Sequence, residues 1–181
     1  MNPDQIPPLN ASVCRRAGAL AALGGIAFLV VNAALWLVPA WTDFAARAQG
    51  NLQTETITLT PLVRGLGLGL STVYLAVLAR GLWIVRTLFT RLAVGRVFEP
   101  ETGVLLRRFG KALLLYAALT PIVTALMALL VTMNNPAGER YLKFGVSDHE
   151  IVLALVGTLI LVIGSVMADA ARIADDNRQI I

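Results

Sequence analysis

Residues 86–111 read RTLFTRLAVGRVFEPETGVLLRRFGK, a basic elbow between two strongly apolar stretches of the chain. Four apolar runs are present in all, at residues 17–38, 65–85, 112–133 and 151–168. Each is close to the roughly 20 residues that a helix needs to cross a hydrocarbon layer about 30 Å thick. The pattern predicts an all-α membrane protein, a four-transmembrane-helix bundle that forms one integral membrane domain over residues 1–181.

The composition excludes an ordinary soluble domain. Hydrophobic residues make up 57% of the chain and charged residues only 14%, whereas soluble domains carry roughly 25% charged residues. Backbone amides in lipid must pair within the chain, and the apolar runs are too continuous for the alternation of barrel strands. The four runs are therefore predicted to be helices.

The basic residues predict which side of the membrane each loop occupies. Ten lie on the side of the termini and the elbow and four on the other side, while Arg80 lies within a span. Since cytoplasmic segments are enriched in lysine and arginine, we expect both termini, the elbow and the tail (residues 169–181) to be cytoplasmic. A signal peptide that starts at Arg15 and Arg16 is the alternative, but the 22 residues from 17 to 38 exceed the roughly 7 to 15 of a signal core.

The elbow is expected to be a helical hairpin. The apolar face of the second span continues through Leu88 and Phe89, and Gly95 is suited to end that helix. Pro100 and Glu101 suit the start of the third helix, because proline fits the first turn and carboxylates favour the positive end of the helix dipole. Its candidate partner or lipid surface consists of Arg91, Arg96, Phe98, Arg107 and Arg108. Anchoring to anionic lipid is favoured over docking of a cytoplasmic partner, and the two roles are compatible.

The outer loops are predicted to be short. Residues 49–60 are expected to be irregular or weakly extended, since their alternating TETITLT stretch has no partner strand. Ser147 and Glu150 have the spacing of a capping box at the start of the fourth apolar helix.

A family resemblance is found in LFTRLAVGRVFEPETGVLLRRFG, residues 88–110, which is similar to the central signature of the membrane proteins grouped as domain of unknown function 2975. The matching residues are Leu88, Phe89, Gly95, Phe98, Pro100, Arg107 and Gly110. The ending ARIADDNRQII also resembles that family, although Asp175 and Asp176 stand where a glutamate is usual. The resemblance runs from about Ala17 to the C-terminus. It implies four helices, a bacterial cytoplasmic membrane and frequent association with helix-turn-helix regulators encoded nearby, and it assigns no catalytic or binding residue.

Arg80 and Asp169 form a candidate intramembrane ion pair. Counted from the outer helix ends, their depths differ by only about 5 Å at the helical rise. A charge within a span is costly and commonly faces the protein interior. Snorkelling of Arg80 to the headgroups is the other structural interpretation, and a substrate or ion pathway is less favoured than either.

Small and polar residues in the spans predict helix packing. Gly65 and Gly69 form a GxxxG face that suits close packing of two helices, within the bundle by preference or else in a dimer. No strand precedes these glycines, which argues against a nucleotide loop. Five polar residues in the spans are expected to hydrogen-bond between helices or to a preceding carbonyl rather than to serve transport: Asn32, Thr120, Thr124, Thr158 and Ser165.

Neither a metal site nor a catalytic site is predicted. Cys14 and His149 are the only cysteine and histidine, and one of each cannot complete a multi-ligand metal centre. The spans also lack the titratable groups of an enzyme site. We therefore expect no cofactor and no enzymatic activity.

The favoured function is a non-enzymatic interaction or regulatory module that acts through the elbow and the tail. The alternative is a small transporter, channel or lipid-handling subunit around a cavity near Arg80 and Pro121. Expected partners are the lipid bilayer and a cytoplasmic regulator or membrane protein, with a homo-oligomer also open. Direct nucleic-acid binding is not expected, because the basic residues sit at the ends of apolar helices.

Overall fold

The computed structural model describes residues 11–95 and 99–178, with side chains as far as residue 174. These residues form helices and connecting loops without a strand. The helices are α1 (Ala11–Leu37), α2 (Pro39–Gly50), α3 (Pro61–Leu92), α4 (Pro100–Thr132) and α5 (Asp148–Arg178). Four of them, α1, α3, α4 and α5, are long and apolar enough to cross a membrane. The predicted all-α fold with four spans is confirmed.

The two helices of the elbow end where the sequence predicts. α3 ends at Leu92 and is followed by Gly95 with φ +82°, a left-handed conformation that glycine adopts without steric cost. α4 begins at Pro100 and has Glu101 in its first turn. The predicted residues Arg96 and Phe98 lie outside the described residues.

The short helix α2 is not anticipated by the apolar pattern, because its 12 residues are too few and too polar to span a membrane. Its start is nevertheless a local signal, since Val38 is extended, as a residue before proline prefers, and Pro39 occupies the first turn. Small residues such as Ala45 and Ala46 are buried, whereas Phe44 is exposed. The 12 residues of α2 therefore occupy nearly half of residues 39–64, the segment between the first two predicted spans.

The chain divides into two compact units. The hairpin unit comprises Met1–Gly25, Leu78–Leu114 and Leu153–Ile181. The loop unit comprises Ile26–Val77 and Leu115–Val152. The elbow thus belongs to the hairpin unit, and α2 with both outer loops belongs to the loop unit.

The core of the loop unit is built around Trp36, which is 2% exposed. Its indole lies in the space left by Gly67, where an added Cβ would be 2.3 Å from the ring. The indole Nε1 donates a hydrogen bond to Gln49 Oε1 at 3.3 Å. The ring therefore packs against α3 and is joined by a hydrogen bond to α2.

Asn135 holds the two outer loops together. This residue is 3% exposed, and its amide nitrogen donates to the Thr56 carbonyl at 2.7 Å. Its Oδ1 accepts from the Thr58 hydroxyl at 2.6 Å, and the Thr58 amide donates to the Val131 carbonyl at 3.0 Å. The residues around Thr58 lack helix and strand, as predicted, but this network fixes their course.

An ion pair also joins these loops. Lys143 donates to the Glu55 carboxylate and to the Asn51 carbonyl at 3.1 Å. The hydrogen bond from Lys143, with backbone bonds at Glu55 and Gln53, lowers the pKa of Glu55 to about 2. The carboxylate therefore stays ionised at neutral pH.

The start of α5 carries half of the predicted capping box. The Ser147 amide donates to the Glu150 carboxylate at 2.7 Å, as the motif requires. The Ser147 hydroxyl donates to that same carboxylate instead of accepting from a helix amide. The glutamate side of the motif is thus present.

Candidate functional site

The turn of the hairpin is closed by an ion-pair cluster. The Arg91 guanidinium, near the end of α3, lies 3.6 Å from the Glu99 carboxylate and also pairs with Glu101 of α4. This arginine side chain is 30% exposed. Its charge is therefore engaged within the hairpin, so Arg91 is better suited to stabilising the turn than to contacting a partner.

Arg107 and Arg108 are exposed on α4, as is Lys111 one turn further on. Among the side chains that the structure describes, none of these three cations forms an ion pair within 4.0 Å. Arg107 and Arg108 belong to the predicted partner or lipid surface, and Lys111 adds a third exposed cation beside them.

Close packing of α4 on α5 supports that charged surface. A Cβ added to Gly164 would lie 2.5 Å from the Arg107 backbone nitrogen, and one added to Gly103 would lie 2.5 Å from that of Ala168. A Cβ on Gly110 would lie 2.7 Å from the Gly157 carbonyl oxygen. The two backbones therefore touch, as small residues allow in membrane helices.

The predicted packing face of α3, formed by Gly65 and Gly69, does not contact another described helix. No described residue outside the helix itself comes within 4 Å of a Cβ built on Gly65 or Gly69. The close approaches involve pairs spaced seven residues apart, Gly103 with Gly110 and Gly157 with Gly164. Residues seven apart lie on one helix face, so this spacing was an available signal.

Arg80 and Asp169 are not brought into contact by the structure. Arg80 is exposed and forms no ion pair with any described residue, while the Asp169 carboxylate lies 3.8 Å from the Arg172 guanidinium. The Asp169 and Arg172 side chains are 69% and 72% exposed. Helical rise fixes depth alone, whereas the rotation of each helix decides which residues meet.

A cavity of about 280 Å³ lies in the loop unit among α2, α3 and α4. Its polar lining consists of Gln49, Ser71, Tyr74, Tyr116, Thr120 and Thr124. The rings of Tyr74 and Tyr116 stack with centroids 4.5 Å apart and planes at 18°. Arg80 is not among the lining residues, and no lining residue is charged.

Four of the five polar residues predicted to hydrogen-bond within the spans do so, and two of them, Thr158 and Ser165, donate to the preceding carbonyls of Ala154 and Leu161 at 2.8 and 2.9 Å. Asn32 Nδ2 donates to Thr72 on α3 at 3.2 Å, and Thr120 is 2.8 Å from the Tyr74 hydroxyl. Thr124 has no hydrogen-bond partner among the residues described. Gln49 of α2 was missed by the sequence analysis, because α2 itself was not predicted.

Together the four long apolar helices define a multi-pass membrane protein. The chain belongs to the family described as "Protein of unknown function (DUF2975)", whose model matches residues 63–181. The match contains the signature at residues 88–110 and the ending at 171–181, and the predicted family is confirmed. It starts later than the predicted limit near Ala17, and α1 and α2 lie outside it.

Comparison with curated proteins and with solved structures finds no significant match.

Proposed function

We propose that this protein is a non-enzymatic membrane module that binds a cytoplasmic or membrane-embedded partner through the exposed end of the hairpin unit. The observation that carries the proposal is the pair Arg107 and Arg108, exposed and without a counter-ion among the described residues. A charged surface of this kind favours an acidic partner and steers its approach.

Rigidity supports this role. Arg107 and Arg108 lie on α4, whose backbone contacts α5 where Arg107 meets Gly164. The packing of these two helices holds both exposed arginines in place. Arg91 fixes the neighbouring turn through Glu99 and Glu101. A preorganised surface loses less conformational entropy on binding than a flexible one.

The end of α5 extends this surface. Gly103 faces Ala168, so the start of α4 and the end of α5 lie toward the same end of the pair. α4 begins three residues before Gly103, whereas α5 continues ten residues beyond Ala168. α5 therefore projects roughly 10 Å further than α4 at the helical rise.

The membrane we propose is a bacterial cytoplasmic membrane, with this charged end inside. The ten basic residues of the elbow, tail and N-terminal segment support that orientation.

Cysteine labelling tests the orientation. Cys14 is only 8% exposed and would resist a reagent from either side, so the reporters are Ser12→Cys and Ala137→Cys in a Cys14→Ala background. Both positions are exposed. In spheroplasts an impermeant maleimide should label Ala137→Cys at once and Ser12→Cys only after permeabilisation. The opposite order would overturn the orientation.

Partner capture tests the function itself. Gentle purification from native membranes, followed by mass spectrometry, should recover a specific partner with the wild-type chain. The double variant Arg107→Gln, Arg108→Gln should lower that recovery about tenfold or more, since removing a hydrogen bond to a charged group costs roughly 1.5–3 kcal/mol.

The matched control is Arg15→Gln with Arg16→Gln, which removes the same charge from exposed positions in α1. An equal loss of recovery in both double variants would assign the effect to general attraction to anionic lipid. Recovery of the wild-type chain alone would remove the basis of the proposal.

The lipid-handling alternative draws on one observation, the cavity in the loop unit. Its uncharged lining gives no support to an ion pathway through Arg80.

A further inference from the structure

The loop-unit cavity is lined by both members of the stacked pair Tyr74 and Tyr116, so part of its wall is aromatic. Its volume of about 280 Å³ is near the lower end of the roughly 300–1,000 Å³ typical of small-molecule sites. Ala48 of α2 lines it while remaining exposed, so this residue lies at the mouth. The space suits a single ring rather than a large head group.

Some of the lining groups already use their hydrogen-bonding capacity. The Thr120 hydroxyl donates to the Tyr116 carbonyl at 2.9 Å, and a hydroxyl has only one proton. Tyr74 must therefore be the donor in its 2.8 Å bond to Thr120. Ser71 donates to the Leu68 carbonyl at 3.2 Å.

Two other lining residues, Gln49 and Thr124, have hydrogen-bond donors that no described residue accepts from. Gln49 uses one amide hydrogen toward Asn32 at 3.2 Å and accepts from Trp36, which leaves its second N–H. The Thr124 hydroxyl has no partner among the described residues. The cavity thus offers unused donors at Gln49 and Thr124 beside the remaining lone pairs of Ser71 and Tyr74. Because both groups are hydrogen-bond donors, they favour a ligand with oxygen acceptors.

We propose that this cavity binds the head of a neutral amphipathic molecule, a single ring that bears carbonyl or hydroxyl oxygens, as in a quinone or a phenol. The ring stacks beside Tyr74 and Tyr116, and its oxygens accept from Gln49 and Thr124. Pairing of the ligand ring with the tyrosine rings would stabilise the complex beyond the effect of burying apolar surface. A phospholipid head is excluded, because its phosphate would find no cation in the lining. A polyol is excluded because it needs more partners than the few unused groups supply.

A decyl-substituted benzoquinone is the probe, and Trp36 is the reporter because its indole is bonded to the lining residue Gln49. Trp41 and Trp83 are 52% and 53% exposed and are replaced by phenylalanine to isolate the Trp36 signal. In detergent, the quinone should quench Trp36 fluorescence to saturation. Thr124→Val should weaken binding about three- to tenfold, the value of one hydrogen bond.

Two further variants decide the outcome. Ala48→Phe adds its ring at an exposed position and should abolish saturable quenching while leaving thermal unfolding unchanged. Thr158→Val is the control, since Thr158 is exposed on α5 and its hydroxyl already donates to the Ala154 carbonyl at 2.8 Å. The affinity of the Thr158→Val variant for the quinone should equal that of the protein in which only Trp41 and Trp83 are replaced. Quenching that rises linearly, with one slope in the background protein and in Ala48→Phe, would show mere partitioning into detergent and overturn the proposal.

Discussion

Gly164→Ala is expected to destabilise the hairpin unit by about 3 kcal/mol, at the upper end of the usual cost of overpacking. The added Cβ would lie 2.5 Å from the Arg107 backbone nitrogen and 2.9 Å from the Gly103 carbonyl oxygen. Both neighbours are backbone atoms, which cannot move aside as a flexible side chain does. The helices α4 and α5 must therefore separate, and this separation also weakens the packing around Gly103 and Gly110.

Thermal unfolding in a mild detergent, followed by circular dichroism, measures this effect. Gly69→Ala is the matched control, because nothing described outside α3 lies within 4 Å of the added Cβ. That variant should be neutral or up to about 1 kcal/mol more stable, the propensity difference between alanine and glycine in a helix. Equal destabilisation in both variants would contradict the close packing of α4 on α5. A changed oligomeric state in Gly69→Ala alone would place the Gly65 and Gly69 face between copies of the chain.

Trp36→Ala is expected to cost about 3–5 kcal/mol, as for other large aromatic side chains removed from a core. The indole is 2% exposed and occupies the space above Gly67, so its removal leaves a cavity between α1 and α3. The Gln49 carbonyl also loses its donor, since Trp36 Nε1 is bonded to it at 3.3 Å. We expect a lower unfolding temperature and greater proteolysis of the outer loops.

The comparison for this variant is Trp41→Ala. Trp41 is 52% exposed, so in detergent its removal should cost about 1 kcal/mol or less, as is usual away from a core. Similar decreases in stability in the two variants would show that Trp36 is not the centre of the loop-unit core.

Local chemistry explains the parts of the fold that could be predicted. Gly95 and Pro100 mark the ends of the hairpin helices through their own backbones, because glycine adopts a left-handed φ without steric cost and proline has a fixed φ that suits a helix start. The four spans follow in the same way from the length and continuity of the apolar runs. α2 was not predicted because its stability comes from burying small residues such as Ala45 and Ala46, and a short run of alanines has no distinctive hydrophobic period.

The candidate site was less predictable. The charged surface was found as a set of basic residues, but only the structure separates Arg91, which is paired, from Arg107 and Arg108, which have no counter-ion among the described residues. The GxxxG spacing predicted close packing at Gly65 and Gly69. The helices whose backbones touch are α4 and α5, and they do so at glycines spaced seven residues apart. The cavity depends on Gln49, whose position follows from a helix that was not predicted.

By itself, the sequence determined that this chain is a four-span membrane protein with a basic helical hairpin, because hydrophobic length and backbone constraints act locally. Only the tertiary structure decided which helix faces meet, which of the described cations remain unpaired and where a cavity is left. Those outcomes depend on the rotation of each helix about its axis. That rotation is set by packing between residues far apart in the chain, such as Gly103 with Ala168 and Trp36 with Gly67.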